Sequence, residues 1–93
     1  MDLLIDLRDF GTMDDIFDYL RRNLAFPKYF GENLDALYDV LSTYPDRLSV
    51  RILYHPENVL PFHKRCRKLI RVFEDAAECN PELTVTAERI GVY

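Results

Sequence analysis

Asp35 and Asp39 lie four residues apart in a segment that reads as a helix, which sets their carboxylates one turn apart on one face. Like charges at that spacing destabilise a helix by a few tenths of a kcal/mol. A locally unfavourable choice points to a use outside the helix itself. Three chemistries employ paired carboxylates. Glycoside cleavage needs a deep concave site around the bond, hard to build in 93 residues. A hard cation takes roughly six to eight oxygen ligands, more than this patch supplies. The third chemistry is electrostatic, a rigid negative pair offered to something positive. From residue 28 to 46 four acids, Glu32, Asp35, Asp39 and Asp46, stand against one base, Lys28. No Lys or Arg sits three or four residues from Asp35 or Asp39. Such a field speeds association with a cationic partner. The plainer alternative is a solvated helix face.

Other candidate groups carry less. Tyr29 and Phe30 precede the acidic helix. Phe30 reads as packing across the loop; Tyr29, beside acids, has the composition of a protein-binding centre. His55 and His63 have no serine or cysteine nucleophile placed near them by sequence and read as surface residues. The glycines, Gly11, Gly31 and Gly91, are isolated and form no phosphate-binding loop. Cys66 and Cys79 fall 13 residues apart in one helix, about 20 Å at 1.5 Å per residue. That exceeds the roughly 7 Å a disulfide spans. With two scattered histidines they make no zinc pattern. The expectation is a protein without catalysis, metal or cofactor.

The formal charge is −4 and the isoelectric point about 5.0, which argues against nucleic acid as the main ligand. No run approaches the roughly 18 apolar residues of a membrane span. The start, MDLLID, lacks the basic region of a signal peptide. The expected location is cytoplasmic, and the expected organisation a single domain over residues 1–93.

The acids need elements to hold them. A strand is expected at about 2–8, with Leu3, Ile5 and Leu7 on one side and Asp2, Leu4, Asp6 and Arg8 on the other. Thr12 and Asp15 resemble a capping box before Met13, Ile16, Phe17, Leu20 and Leu24 at helical spacing. Pro27 and Gly31 bracket a loop. Asn33 is placed as the N-cap of a helix running to about Thr43, with Leu34, Leu37, Tyr38 and Leu41 as its apolar stripe. Residues 48–54 alternate as a second strand, and Pro56 to Pro61 reads as a short turn or a one-turn helix. A long helix follows from about Phe62 to Glu78, with Phe62, Cys66, Leu69, Phe73 and Ala76 as its seam. Its charges run against the helix dipole, bases from Lys64 to Arg71 and then Glu74, Asp75 and Glu78. One reading is an ion-paired surface; the sharper one brings Asp75 to the acids near Asp39. Asn80-Pro81 ends the helix, and a last strand starts at Leu83. The order β-α-α-β-α-β implies parallel strands. Because all three strands alternate, the helices belong on one face, and right-handed crossovers then require the order 1-2-3. The predicted fold is a two-layer α/β domain with a three-stranded parallel sheet.

The segment FPKYFGENLDALYDVL, residues 26–41, resembles the signature of the barstar family, intracellular inhibitors of secreted ribonucleases. Length, element order and acidity agree along the chain. The specific block is Tyr29, Gly31, Glu32, Asn33, Leu34, Asp35, Ala36, Leu37 and Asp39. The resemblance implies that Asp39 enters a cationic phosphate-binding pocket with Asp35 beside it. It also implies that Tyr29, Asn33 and Leu34 meet the enzyme surface, that Tyr44 presents another aromatic, and that Asp75, in VFEDA, supplies an acid from the long helix. Tyr38 stands where the family has tryptophan, Val40 where it has cysteine, and Asp75 is one methylene shorter than the family's glutamate. The implied function is to bind and occlude a basic ribonuclease or toxin nuclease, an immunity role. The alternative is a module that binds a non-nuclease cationic protein. A monomer is expected, with the last strand offering an edge through which a second copy could pair.

Overall fold

The computed structural model describes residues 1–24, 26, 33–54 and 61–89, the side chains of 61–65 excepted. Three strands, β1 (Asp2–Asp6), β2 (Leu48–Tyr54) and β3 (Leu83–Arg89), form one parallel sheet in the order β1-β2-β3. Three α-helices, α1 (Met13–Asn23), α2 (Leu34–Ser42) and α3 (Pro61–Cys79), make the second layer. The two-layer, one-faced arrangement expected from the alternation is the one observed. Leu3 pairs with Val50 and Val50 with Val85; Ile5 pairs with Ile52 and Ile52 with Ala87. These rows face the helices. Leu4, Ser49, Arg51, Thr84 and Thr86 point the other way and are exposed.

The core is the sum of the expected stripes. Ile16, Leu20, Leu37, Leu41, Ile52, Leu69 and Phe73 are fully buried. At roughly 1.5–3 kcal/mol for each large apolar side chain taken from water, this cluster supplies the main drive to fold. The Phe62 side chain and residues 56–60 of the expected turn lie outside what is described, as does any continuation of β3 beyond Arg89. Pro61 opens α3, where a missing N–H costs nothing.

One boundary differs. The first strand stops at Asp6, two residues earlier than its alternation predicts, and Leu7–Asp9 form a 3₁₀ turn. The Asp6 carboxylate accepts the Arg8 backbone N–H at 3.0 Å and pairs with the Arg8 guanidinium at 2.7 Å. That local bond competes with the sheet ladder and wins. Leu7 stays buried, so its side of the pattern persists while the backbone has turned. The outer edge of β1 is also engaged: the Tyr19 hydroxyl on α1 donates to the Leu4 carbonyl at 2.6 Å.

On the outer sheet face Arg51 donates to both carboxylate oxygens of Glu88, at 2.9 and 3.0 Å. The two residues are diagonal neighbours across β2 and β3. This hydrogen-bonded guanidinium holds the Glu88 carboxyl below its usual range, against a small opposing effect of burial and with help from its charge. A carboxyl depressed in the folded state stabilises the fold above its unfolded value, and the gain disappears as pH falls through the folded one. Arg51→Gln should therefore raise the Glu88 midpoint, followed by carboxyl ¹³C shifts, toward that of an ordinary glutamate. A midpoint that stays low would show that another group sets it.

Candidate protein-docking site

The acidic helix is held by its ends. Asn33 takes an extended conformation and its side-chain oxygen accepts the Ala36 N–H at 2.8 Å. Such caps contribute about 1 kcal/mol. Leu37 and Leu41 are fully buried and fix the rotation of α2, with Leu34 and Tyr38 partly buried beside them. Asp35 and Asp39 are left exposed on the other side. Asp35 lies in the first turn, where the helix dipole favours a negative charge. Among the described residues neither acid has an ion-pair partner. At the far end the Asp39 carbonyl accepts from the hydroxyls of Ser42 and Thr43, at 3.2 and 2.8 Å.

The C-terminal end of α3 fastens α2 at two points. Asn80, buried, donates its side-chain amide to the carbonyls of Leu41 and Tyr44, at 2.9 and 3.1 Å. Its own oxygen accepts the Glu82 N–H at 3.0 Å. The Leu41 carbonyl, which also accepts the Tyr44 N–H at 3.3 Å, and the Tyr44 carbonyl just past α2 are thus tied to a residue at the end of another helix. One residue earlier, Cys79 brings its Sγ within 3.2 Å of the Tyr38 hydroxyl.

Tyr38 also feels the acids of both helices. Its phenol is held above the usual tyrosine range. The Cys79 hydrogen bond is the largest cause, followed by the charge Cys79 can carry, by burial, and by the negative charges of Asp75 and Asp39. Asp39 on α2 and Asp75 on α3 therefore both act on one side chain. Asp75 is itself exposed and loosely paired to Arg71 at 3.8 Å, one turn earlier. Exposed pairs of that kind contribute little, so Asp75 can exchange partners at small cost.

Of the residues expected to meet a partner, Asn33 caps α2, Leu34, Asp35 and Asp39 lie along it, and Asp75 lies on α3, which packs against α2. Tyr44 is placed in the core, 9% exposed, with its carbonyl bonded to Asn80. Tyr29, with Lys28, Phe30, Gly31 and Glu32, lies outside the described residues. Two residues of the site were not singled out by sequence. Tyr38 read as part of the apolar stripe and Asn80 as a helix stop; nothing local announces a contact to a residue some forty positions away.

The described residues offer no cluster of three or more His, Cys, Asp or Glu able to hold a metal. Cys66 is buried, which pushes its thiol up to about 11 and leaves it protonated and inert at neutral pH. No described helix is long and apolar enough to cross a membrane. What the site presents is fixed negative charge on two helices packed against each other over one core.

Residues 1–88 match the family described as "Barstar (barnase inhibitor)", and the chain belongs to that family, whose members are inhibitors and not enzymes. It is also similar to a Bacillus subtilis (strain 168) protein described as "Putative ribonuclease inhibitor YrdF", with 46% identity over 44 residues. That alignment covers 47% of this chain and 48% of the relative, so the chain spans about half the length of the curated relative it matches.

Proposed function

We propose that this chain inhibits a basic ribonuclease or toxin nuclease by docking α2, with the segment before it, into the enzyme's active site, and that it protects the producing cell in this way. The observation that carries the reading is the grouping of acids on α2 and α3. Asp35 and Asp39 are exposed and without ion pairs among the described residues, and Asp75 adds its charge beside Tyr38. Ribonucleases bind a polyanion, so their active sites gather Arg and Lys. Carboxylates on a rigid helix copy the phosphates, and the helix fixes their spacing before binding, which limits the entropy lost on association. Asp39 takes the phosphate pocket with Asp35 beside it; Tyr29, Asn33 and Leu34 contact the surface near the helix start, and Asp75 closes the far side. Tyr44, being buried, supports the end of α2 from within.

The test is inhibition. Barnase and a panel of basic secreted ribonucleases, each assayed on a fluorogenic RNA, are titrated with the purified chain. One enzyme should lose all activity at one inhibitor per enzyme, and association should slow as salt screens the acids. Full activity throughout the panel at micromolar inhibitor would overturn the reading.

A further inference from the structure

We infer that the Tyr38 hydroxyl and the Cys79 thiol form a latch between α2 and α3 that sets the separation of Asp39 from Asp75, which makes Tyr38 a positioning residue for docking on a cationic enzyme. The role in docking rests on the inhibitor reading above; the latch is a property of the free chain.

The Asn80 bonds to the Leu41 and Tyr44 carbonyls pin α2 at its C-terminal end only. A helix pinned at one end can still pivot about it. The Tyr38–Cys79 contact, 3.2 Å long, is a second point, one turn further along α2. The residues that carry it adjoin the acids. Asp39 follows Tyr38 in α2, and Asp75 precedes Cys79 by four residues, on the same face of α3. Tyr38 is partly buried, packed on the core that also holds Leu37 and Leu41, so its ring has little freedom. Both acids also send negative charge toward the same hydroxyl. The latch fixes one helix against the other at the turns that carry them. A partner that binds both carboxylates then meets them already spaced, with less ordering left for the binding step. A phenylalanine at 38 would keep the packing and lose the link.

Two double-mutant cycles test this. The first uses the free chain, with Tyr38→Phe, Cys79→Ala and both together compared by urea unfolding. Each single change should lower the folding constant a few-fold, and the pair should be no worse than the weaker single variant, because either removes the same bond. Additive losses would overturn the latch. The second measures binding to barnase, or to whichever enzyme of the panel the wild type inhibits. Tyr38→Phe should weaken affinity roughly five-fold, mainly through faster dissociation. That loss should vanish when Asp75 is already Asn and persist when Asp35 is Asn. An equal loss in both backgrounds would overturn the positioning role, since a merely structural residue would harm both alike. If the wild type inhibits no enzyme of the panel, the inhibitor reading fails and the positioning role with it, while the unfolding cycle still decides the latch.

Discussion

Replacing Asp39 by alanine should weaken binding to the inhibited ribonuclease by roughly thirty-fold or more, the equivalent of about 2 kcal/mol for a hydrogen-bonded charge. Asp14→Ala, on the exposed face of α1, should stay within about two-fold of wild type. The contrast follows from position. Asp14 lies in the first turn of α1, where it answers a helix dipole. Asp39 is in the second turn of α2, away from the N-terminal dipole and with no ion pair among the described residues. Its removal should slightly relieve Asp35 in the free protein and be felt only when a cation is presented. Asp39→Asn separates charge from shape: if charge dominates, it should lose nearly as much as alanine. Surface plasmon resonance at two salt concentrations gives the decision. The wild-type association rate should fall as salt rises, and the variant's should fall less, while most of the affinity loss should appear as faster dissociation. Equal inhibition by the Asp39 and Asp14 variants would remove α2 from the docking surface.

Asn80 is the second site of large effect, and its effect is on folding. Asn80→Ala leaves the Leu41 and Tyr44 carbonyls and the Glu82 N–H without their side-chain partner. Buried polar groups left unpaired cost about 1–3 kcal/mol each where water cannot reach them. A loss of about 2–4 kcal/mol is expected, read as a fall in the urea midpoint at unchanged slope. For a domain of this size that is a drop in Tm of roughly 10–25 °C. Asn80→Asp is the sharper variant. It keeps the shape but turns a donating amide into a carboxylate aimed at two carbonyl oxygens, and should be at least as damaging near neutral pH. If either variant unfolds like wild type, the Asn80 bonds contribute nothing to holding α2.

Much of the architecture was legible because its signals are local. The alternation of Leu48, Val50 and Ile52 against Ser49 and Arg51 appears in the structure as one buried and one exposed sheet face. The Thr12 cap accepts the Asp15 N–H at 3.2 Å, three residues on, as its spacing implied. The acids of α2 were equally readable, since exposure opposite an apolar stripe is a property of the helix alone. Other features are not carried by the period. Asp6 looked like one more outward residue of an alternating strand, and nothing in the period told that its carboxylate would cap the next turn. Asn80 before Pro81 read as punctuation, although its amide reaches back to α2. Tyr38 was counted with the core, and its hydroxyl acquires a role only once α3 lies beside it. Tyr44 illustrates the reverse: a position after a helix gave no hint that packing would bury it.

The sheet's parallel order also governs when the molecule can exist during its own synthesis. Every rung of the sheet is long-range: Leu3 waits for Val50, and Val50 for Val85. Such pairings form slowly and late. On the ribosome the first strand, with Leu3 and Ile5, stays without a neighbour until residue 48 has been made. Helix α2 is made early, yet its two fastenings come from Cys79 and Asn80, about forty residues further on. A chain that stops short of residue 79 would carry the acids without their spacing. The docking surface is first assembled only once α3 has been made and has folded back.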